Sequence, residues 1–288
     1  RMSDLGYSNQ NQSRIDISLN SLDEYVSDLS AAICTPEPQY ERIGVKVDGE
    51  YRQLNANLLQ IENEFYSPVR PKRVARSGEQ PTAALRRDGI EYVEIRSLDL
   101  NPFDPAGVNQ NTMRFIEAFL VYCALEDSPG IDAGGLEEIR ANHTGMAKDG
   151  RNPEFRLARN GRRVTVGDWA TEILTNVMAV AELVDGGDSS DSYTQSVRLM
   201  QQLVDDSAAT PSARLLDDLR ETNRSFFEYA LELARCHSDY FASITPLDPA
   251  RVAVFEREAE ESFRRQEQIE KSDAIDLDAY LQKYFASC

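Results

Sequence analysis

The segment Glu91-Tyr92-Val93-Glu94-Ile95-Arg96 sets a carboxylate and a guanidinium two positions apart. Its alternation reads as a β-strand, with Tyr92, Glu94 and Arg96 on one face and Val93 and Ile95 on the other. A carboxylate is a hard oxygen ligand for Mg2+. A guanidinium beside it can grip a phosphoryl oxygen through two parallel hydrogen bonds. Phosphoryl transfer needs both, because its catalysis is mostly positioning and neutralisation of charge. The competing explanation is a solvent-facing ion pair on a half-buried sheet, which contributes almost nothing.

A second group is basic. Arg70, Lys72, Arg73 and Arg76 place four cations within seven residues, stiffened by Pro68 and Pro71. They follow Glu62-Asn63-Glu64-Phe65-Tyr66, which adds two carboxylates and an aromatic pair. Such a loop suits a nucleotide with its metal; the bland alternative is a solvated surface loop. The glycine-rich phosphate loops of Walker and Rossmann type are absent. A third group, Arg1 with Asp4-Leu5-Gly6-Tyr7, has a glycine that permits a bend presenting Tyr7. On its own this is no signal, since chain ends commonly fray. His143 and His237 are isolated and read as ordinary helix residues, and Trp169 reads as a packing residue.

These groups need elements to hold them. Ser21 with Glu24 forms a capping-box pattern ahead of Leu22, Tyr25, Val26, Leu29 and Ile33 at helical spacing. Asp48-Gly49 between short alternating runs predicts a hairpin. Residues 67–89 read as a long loop with one short helix near 83–87. Thr112 to Leu125 reads as an apolar helix. Beyond residue 135 the pattern is helical throughout, over 135–147, 165–185, 189–205, 211–243, 247–271 and 275–286. The expected class is α+β, divided into a sheet-bearing part over 1–130 and a helical part over 131–288.

Composition narrows the function. The 288 residues carry 31 basic and 49 acidic side chains, a net charge of -18. Such a field repels nucleic-acid phosphates and argues against a nucleic-acid partner. Residues 1–100 hold 12 basic and 16 acidic side chains, so most of the acidity lies beyond them. The near-balanced first part is the better place for anionic ligands. No stretch approaches the ~20 apolar residues that span a bilayer, so no membrane role is expected. Cys34, Cys123, Cys236 and Cys288 are dispersed and lack zinc-ligand spacing. Cys34 and Cys123 read as small core residues and Cys288 as an exposed thiol; a cytoplasmic location is expected.

The motifs together carry a resemblance. RxSDLGYxNxxQ from Arg1, LQIENEFYSPVRPKR from Leu59, the RSGE turn and GIEYVEIRSLDLNPFDPAGV from Gly89 resemble glutamate–cysteine ligases of the proteobacterial type. The likeness is dense over residues 1–125 and looser beyond. More distantly, Glu94-Ile95-Arg96 with Asp99 and Asn101-Pro102-Phe103 resembles the metal-and-phosphate strand of glutamine synthetases. The resemblance implies the C-terminal part of a glutamine-synthetase-like antiparallel-sheet active-site fold, followed by a mostly helical region.

The resemblance also implies an activity. ATP phosphorylates the γ-carboxylate of L-glutamate, and the amino group of L-cysteine attacks the acyl phosphate. The products are γ-glutamylcysteine, ADP and phosphate, the first step of glutathione biosynthesis. Glu94 then matches a ligand of Mg2+ or Mn2+, and Arg96 a residue facing the transferred phosphoryl group. Arg1, Tyr7 and Tyr66 match positions bordering the cysteine substrate, and Arg70, Lys72 and Arg73 a phosphate-facing loop. The family's N-terminal ExE metal strand has no counterpart here. The chain, which starts at Arg1 with Met2 behind it, is therefore expected to be a C-terminal piece, inactive alone, whose partner is the missing N-terminal segment. The alternatives are a related carboxylate–amine ligase using another amine, and a non-catalytic helical scaffold of ligase ancestry.

Overall fold

The computed structural model describes residues 15–187, 191–244 and 246–286. These residues form two compact units, one from 15–97 and 246–286, the other from 98–244. Those boundaries differ from the 1–130 and 131–288 division expected along the chain.

The first unit opens with α1 (Leu22–Cys34). Ser21 caps it by accepting from Glu24 N at 3.1 Å. The capping box is half made, because the Glu24 carboxylate accepts from Ser18 Oγ instead. Tyr25, Val26, Leu29 and Ile33 form the buried stripe of α1 and pack with Leu59, Leu85, Ile15 and Ile17. Next come α2 (Pro38–Ile43), β1 (Lys46–Val47) and β2 (Glu50–Tyr51). Asp48 and Gly49 join the strands at φ of 52° and 85°, the geometry of the tight hairpin turn that this dipeptide favours. A 3-10 turn (Glu62–Glu64) leads to β3 (Val69–Lys72), α3 (Pro81–Asp88) and β4 (Tyr92–Ile95).

Strands β3 and β4 pair antiparallel, with Arg70 opposite Glu94 and Lys72 opposite Tyr92. Segment 67–89, expected to be a loop with one short helix near 83–87, holds that helix as α3 and, unexpectedly, the strand β3. The strand was hidden by Pro71. Arg96 N donates to Pro68 O at 2.7 Å. Hydrogen-bonded pairs therefore fall at every second position, and the Pro71 nitrogen faces away from β4, where no N–H is needed.

The second unit contains α4 (Gln110–Leu125), α5 (Ala133–Asp149), β5 (Arg156–Arg159), β6 (Arg162–Thr165), α6 (Val166–Asp185), α7 (Ser192–Asp205), α8 (Pro211–Thr222) and α9 (Phe226–Ser243). Its core joins Ala118, Leu174, Val177, Ala181 and Val197. Two expectations are corrected here. The region is not helical throughout: β5 and β6 form a hairpin over Asn160-Gly161, both at positive φ. The segment 211–243 is two helices, because Asn223 turns left-handed and Ser225 starts a full capping box with Glu228.

The chain closes with α10 (Pro249–Ser272) and α11 (Leu277–Tyr284), which belong to the first unit. Asp278 of α11 accepts from Lys46 Nζ at 2.7 Å and from the Tyr51 hydroxyl of the β1–β2 hairpin. Gln80, just before α3, donates to the Tyr284 carbonyl at 2.8 Å.

The class is α+β, with three two-stranded antiparallel sheets among the described residues. No described helix is long and apolar enough to cross a membrane. Cys34 packs against the first core as expected but is disulfide-bonded, and Cys123, expected in a core, is exposed.

Candidate active site

The β3–β4 ladder assembles the expected charges. Period 2 puts Arg70 and Lys72 on one face of β3, and the register sets them beside Tyr92, Glu94 and Arg96. Glu94 lies between two cations: Lys72 Nζ is 3.4 Å from Oε2 and Arg96 Nε is 3.2 Å from Oε1. The Arg96 guanidinium stands 5.8 Å from the centre of the Tyr66 ring, a cation–π distance. Four predicted site residues, Tyr66, Lys72, Glu94 and Arg96, thus come together.

The electrostatics of Glu94 follow from this. Burial works against its charge, but Lys72, Arg96 and Arg70 outweigh burial and hold the carboxyl below the ordinary glutamate range. Glu94 is therefore a carboxylate at neutral pH. Its Oε2 atom is buried and accepts no hydrogen bond. An ionised carboxylate whose Oε2 is held by no contact shorter than the 3.4 Å ion pair to Lys72 fits one ligand position of a hard divalent cation. No group of three or more His, Cys, Asp or Glu side chains suited to a metal occurs among the described residues. The residues present fit one edge of a metal site.

Arg70 and Arg73 are placed differently from an open phosphate-facing loop. Arg70 is 3% exposed, and its Nη2 and Nη1 donate to the carbonyls of Glu62 at 3.2 Å and Asn63 at 3.4 Å. Its backbone pairs with Glu94 in the ladder while its guanidinium turns to the 62–64 turn. Arg73 turns to the end of α3, donating to Gly89 O at 2.7 Å and Asp88 O at 2.9 Å. A guanidinium there satisfies the orphan carbonyls of a helix C-terminus. Lys72 is the member of the trio that reaches the Glu94 carboxylate. The substrate-border expectations for Arg1 and Tyr7 lie outside the described residues.

One contributor, Thr82, escaped the sequence reading, and the carboxylate it holds serves differently from its expectation. Glu62, expected to serve as a carboxylate beside the nucleotide, is 1% exposed and bonded to Thr82. Thr82 carried no signal beyond following Pro81 at the start of a helix. Glu64 is likewise engaged, its carboxylate accepting from Gln60 N at 2.8 Å.

Comparison with known proteins gives this geometry a context. The sequence pattern of glutamate–cysteine ligases matches residues 1–146. The chain is 46% identical to a glutamate–cysteine ligase of Alcanivorax borkumensis, over 99% of this chain and 55% of that relative. It is 42% identical to one from Pseudomonas putida, over 100% of this chain and 54% of the relative. Among solved structures it is similar to glutamate–cysteine ligase from Francisella tularensis in complex with AMP. That likeness has a TM-score of 0.91 and 34% identity, covering 100% of this chain and 56% of the other. The chain spans about half the length of the curated relatives it matches. A sheet face with one carboxylate between two cations, within a matched pattern covering half the sequence, places this chain in the glutamate–cysteine ligase family.

Proposed function

We propose that this chain supplies one wall of an active site that ligates the γ-carboxyl of L-glutamate to L-cysteine at the expense of ATP. The observation that carries the reading is Glu94, a carboxylate held between Lys72 and Arg96 on one sheet face. The AMP complex of the Francisella tularensis relative supports a nucleotide as ligand.

The chemistry proceeds in two displacements. A glutamate γ-carboxylate oxygen attacks the terminal phosphorus of ATP, and the bond to ADP breaks, giving γ-glutamyl phosphate. The cysteine nitrogen then attacks the acyl carbon, phosphate leaves, and the nitrogen loses a proton as the amide forms. Arg96 and Lys72 face the charge shared over the phosphoryl oxygens in the first step, where fixed cations stabilise most. Tyr66, beneath Arg96, holds the guanidinium plane and borders the space left for the amine. Mg2+ or Mn2+, when bound at Glu94, would neutralise phosphate charge.

The wall needs neighbours. A two-stranded sheet is marginal alone, and its other face leaves Val69 42% and Val93 46% exposed. We infer that the part of the family's length not spanned here adds strands to this sheet and further metal ligands to Glu94. A complemented enzyme can be made from this chain and the part of the Alcanivorax borkumensis relative that it does not cover. Its ADP release is expected to require glutamate and cysteine together. Equal turnover with glycine in place of cysteine would replace the proposed amine.

Arg96→Lys in the complemented enzyme keeps the charge and loses the planar fork. It is expected to lower kcat on the order of tenfold, with KM for ATP changed less than about twofold. Steady-state kinetics decide. A rise in KM at constant kcat would assign Arg96 to ground-state binding.

A further inference from the structure

Glu62 is the most deeply buried carboxylate among the described residues. A carboxylate leaves water at high cost unless donors surround it. Glu62 finds them at the start of α3. Its Oε2 accepts from Thr82 N at 2.7 Å, and its Oε1 accepts from the Thr82 hydroxyl. The first turn of a helix has unpaired N–H groups and favours an anion. Burial pushes the Glu62 carboxyl up, while the Thr82 donors and the Arg70 charge oppose the rise.

The backbone of the same residue faces the other way. The Glu62 carbonyl accepts from Arg70 Nη2, and the next carbonyl, Asn63, accepts from Arg70 Nη1. Arg70 Nε is buried and makes no hydrogen bond. Two successive carbonyls of one 3-10 turn therefore set the plane of the guanidinium. Arg70 in turn lies directly opposite Glu94 in the ladder. The position of a buried cation behind the candidate site depends on where the 62–64 turn sits, and the Glu62 side chain pins that turn to α3.

We propose that Glu62 is a positioning residue: by tying the 62–64 turn to Thr82 it holds in place the guanidinium of Arg70, the residue that pairs with Glu94 across the ladder. The consequence for turnover rests on the ligase reading; the hold on Arg70 does not. The rival is that Glu62 merely caps α3.

The test reads Arg70 itself in the 288-residue chain. Nitrogen-15 NMR of arginine side chains, with Arg70 identified by Arg70→Lys, is expected to show separate, slowly exchanging Arg70 Hη signals. In Glu62→Gln and in Thr82→Val these signals are expected to merge, and Arg70 Hε exchange to quicken by roughly tenfold or more, with helical content kept. Thr82→Ser restores the hydroxyl and is expected to restore the spectrum. A lower Tm with unchanged Arg70 signals would leave only the capping role and overturn the proposal. Unfolding of both variants would assign the pair to general stability and overturn it equally. In the complemented enzyme the same variants are expected to lower kcat more than they raise KM for ATP, with Thr82→Ser rescuing. Release of Arg70 with kcat unchanged would uphold the anchoring and count against the ligase reading of the site.

Discussion

Glu94→Gln is expected to leave the fold intact and to reduce kcat of the complemented enzyme by roughly two orders of magnitude or more, the scale of losing a preorganised charged group at a reacting phosphoryl. Glutamine is nearly isosteric on β4 and keeps an oxygen for Arg96. It loses the negative charge between Lys72 and Arg96, whose contacts with Glu94 measure 3.4 and 3.2 Å. Two cations without their carboxylate repel a divalent metal, and the amide is a poor ligand for one. The defect is expected to ease as Mg2+ is raised, because a weakened site fills by mass action. Phosphate release with glutamate and cysteine, measured across a Mg2+ series beside circular dichroism, checks both parts. Unchanged turnover at limiting Mg2+ would remove Glu94 from the metal site.

The second large effect concerns completeness. The 288-residue chain alone is expected to show no cysteine-dependent ADP production above background. Addition of the uncovered part of the Alcanivorax borkumensis relative, in trans or in cis, is expected to bring it up by at least ~100-fold, again the scale of a restored charged constellation. One carboxylate does not hold Mg2+ against water, and the described residues offer no cluster of three candidate ligands around it. Among the described residues the sheet that carries Glu94 has two strands, and exposed Val69, Val93 and Ile90 leave apolar surface beside its edges. Such edges invite association, so the added part is expected to raise solubility as well. Coupled ADP production at equal protein concentration, with size-exclusion profiles, gives the comparison. Robust turnover by the chain alone would require another set of partners for Glu94 and Arg96.

Local rules made much of this molecule legible. The stripe Tyr25, Val26, Leu29 and Ile33 determined α1, and Asp48-Gly49 determined the first hairpin, because helical period and positive-φ turns act within a few residues. The alternation of Glu91–Arg96 put Glu94 and Arg96 on one face, and the structure sets them 3.2 Å apart, Glu94 in β4 and Arg96 just beyond its end. The same kind of signal was present at Asn160-Gly161, between Arg156–Arg159 and Arg162–Thr165, but arginine-rich strands carry little apolar alternation and their helical surroundings masked them.

What a linear pattern could not decide was which charges are spent on structure. Arg70, Lys72 and Arg73 are neighbours of one type in sequence. Only the ladder separates them: Lys72 meets Glu94, Arg70 turns inward to the carbonyls of Glu62 and Asn63, and Arg73 closes the end of α3. Likewise Glu62 and Glu94 are both glutamates near basic residues. The first is pinned to Thr82 and pushed up by burial, the second is held ionised by Lys72 and Arg96. The sequence by itself determined the face on which the chemistry lies, since side-chain direction follows a short backbone period. Only the tertiary structure decided which members of each charge cluster are available, since burial, helix ends and cross-strand partners come from segments distant in the chain.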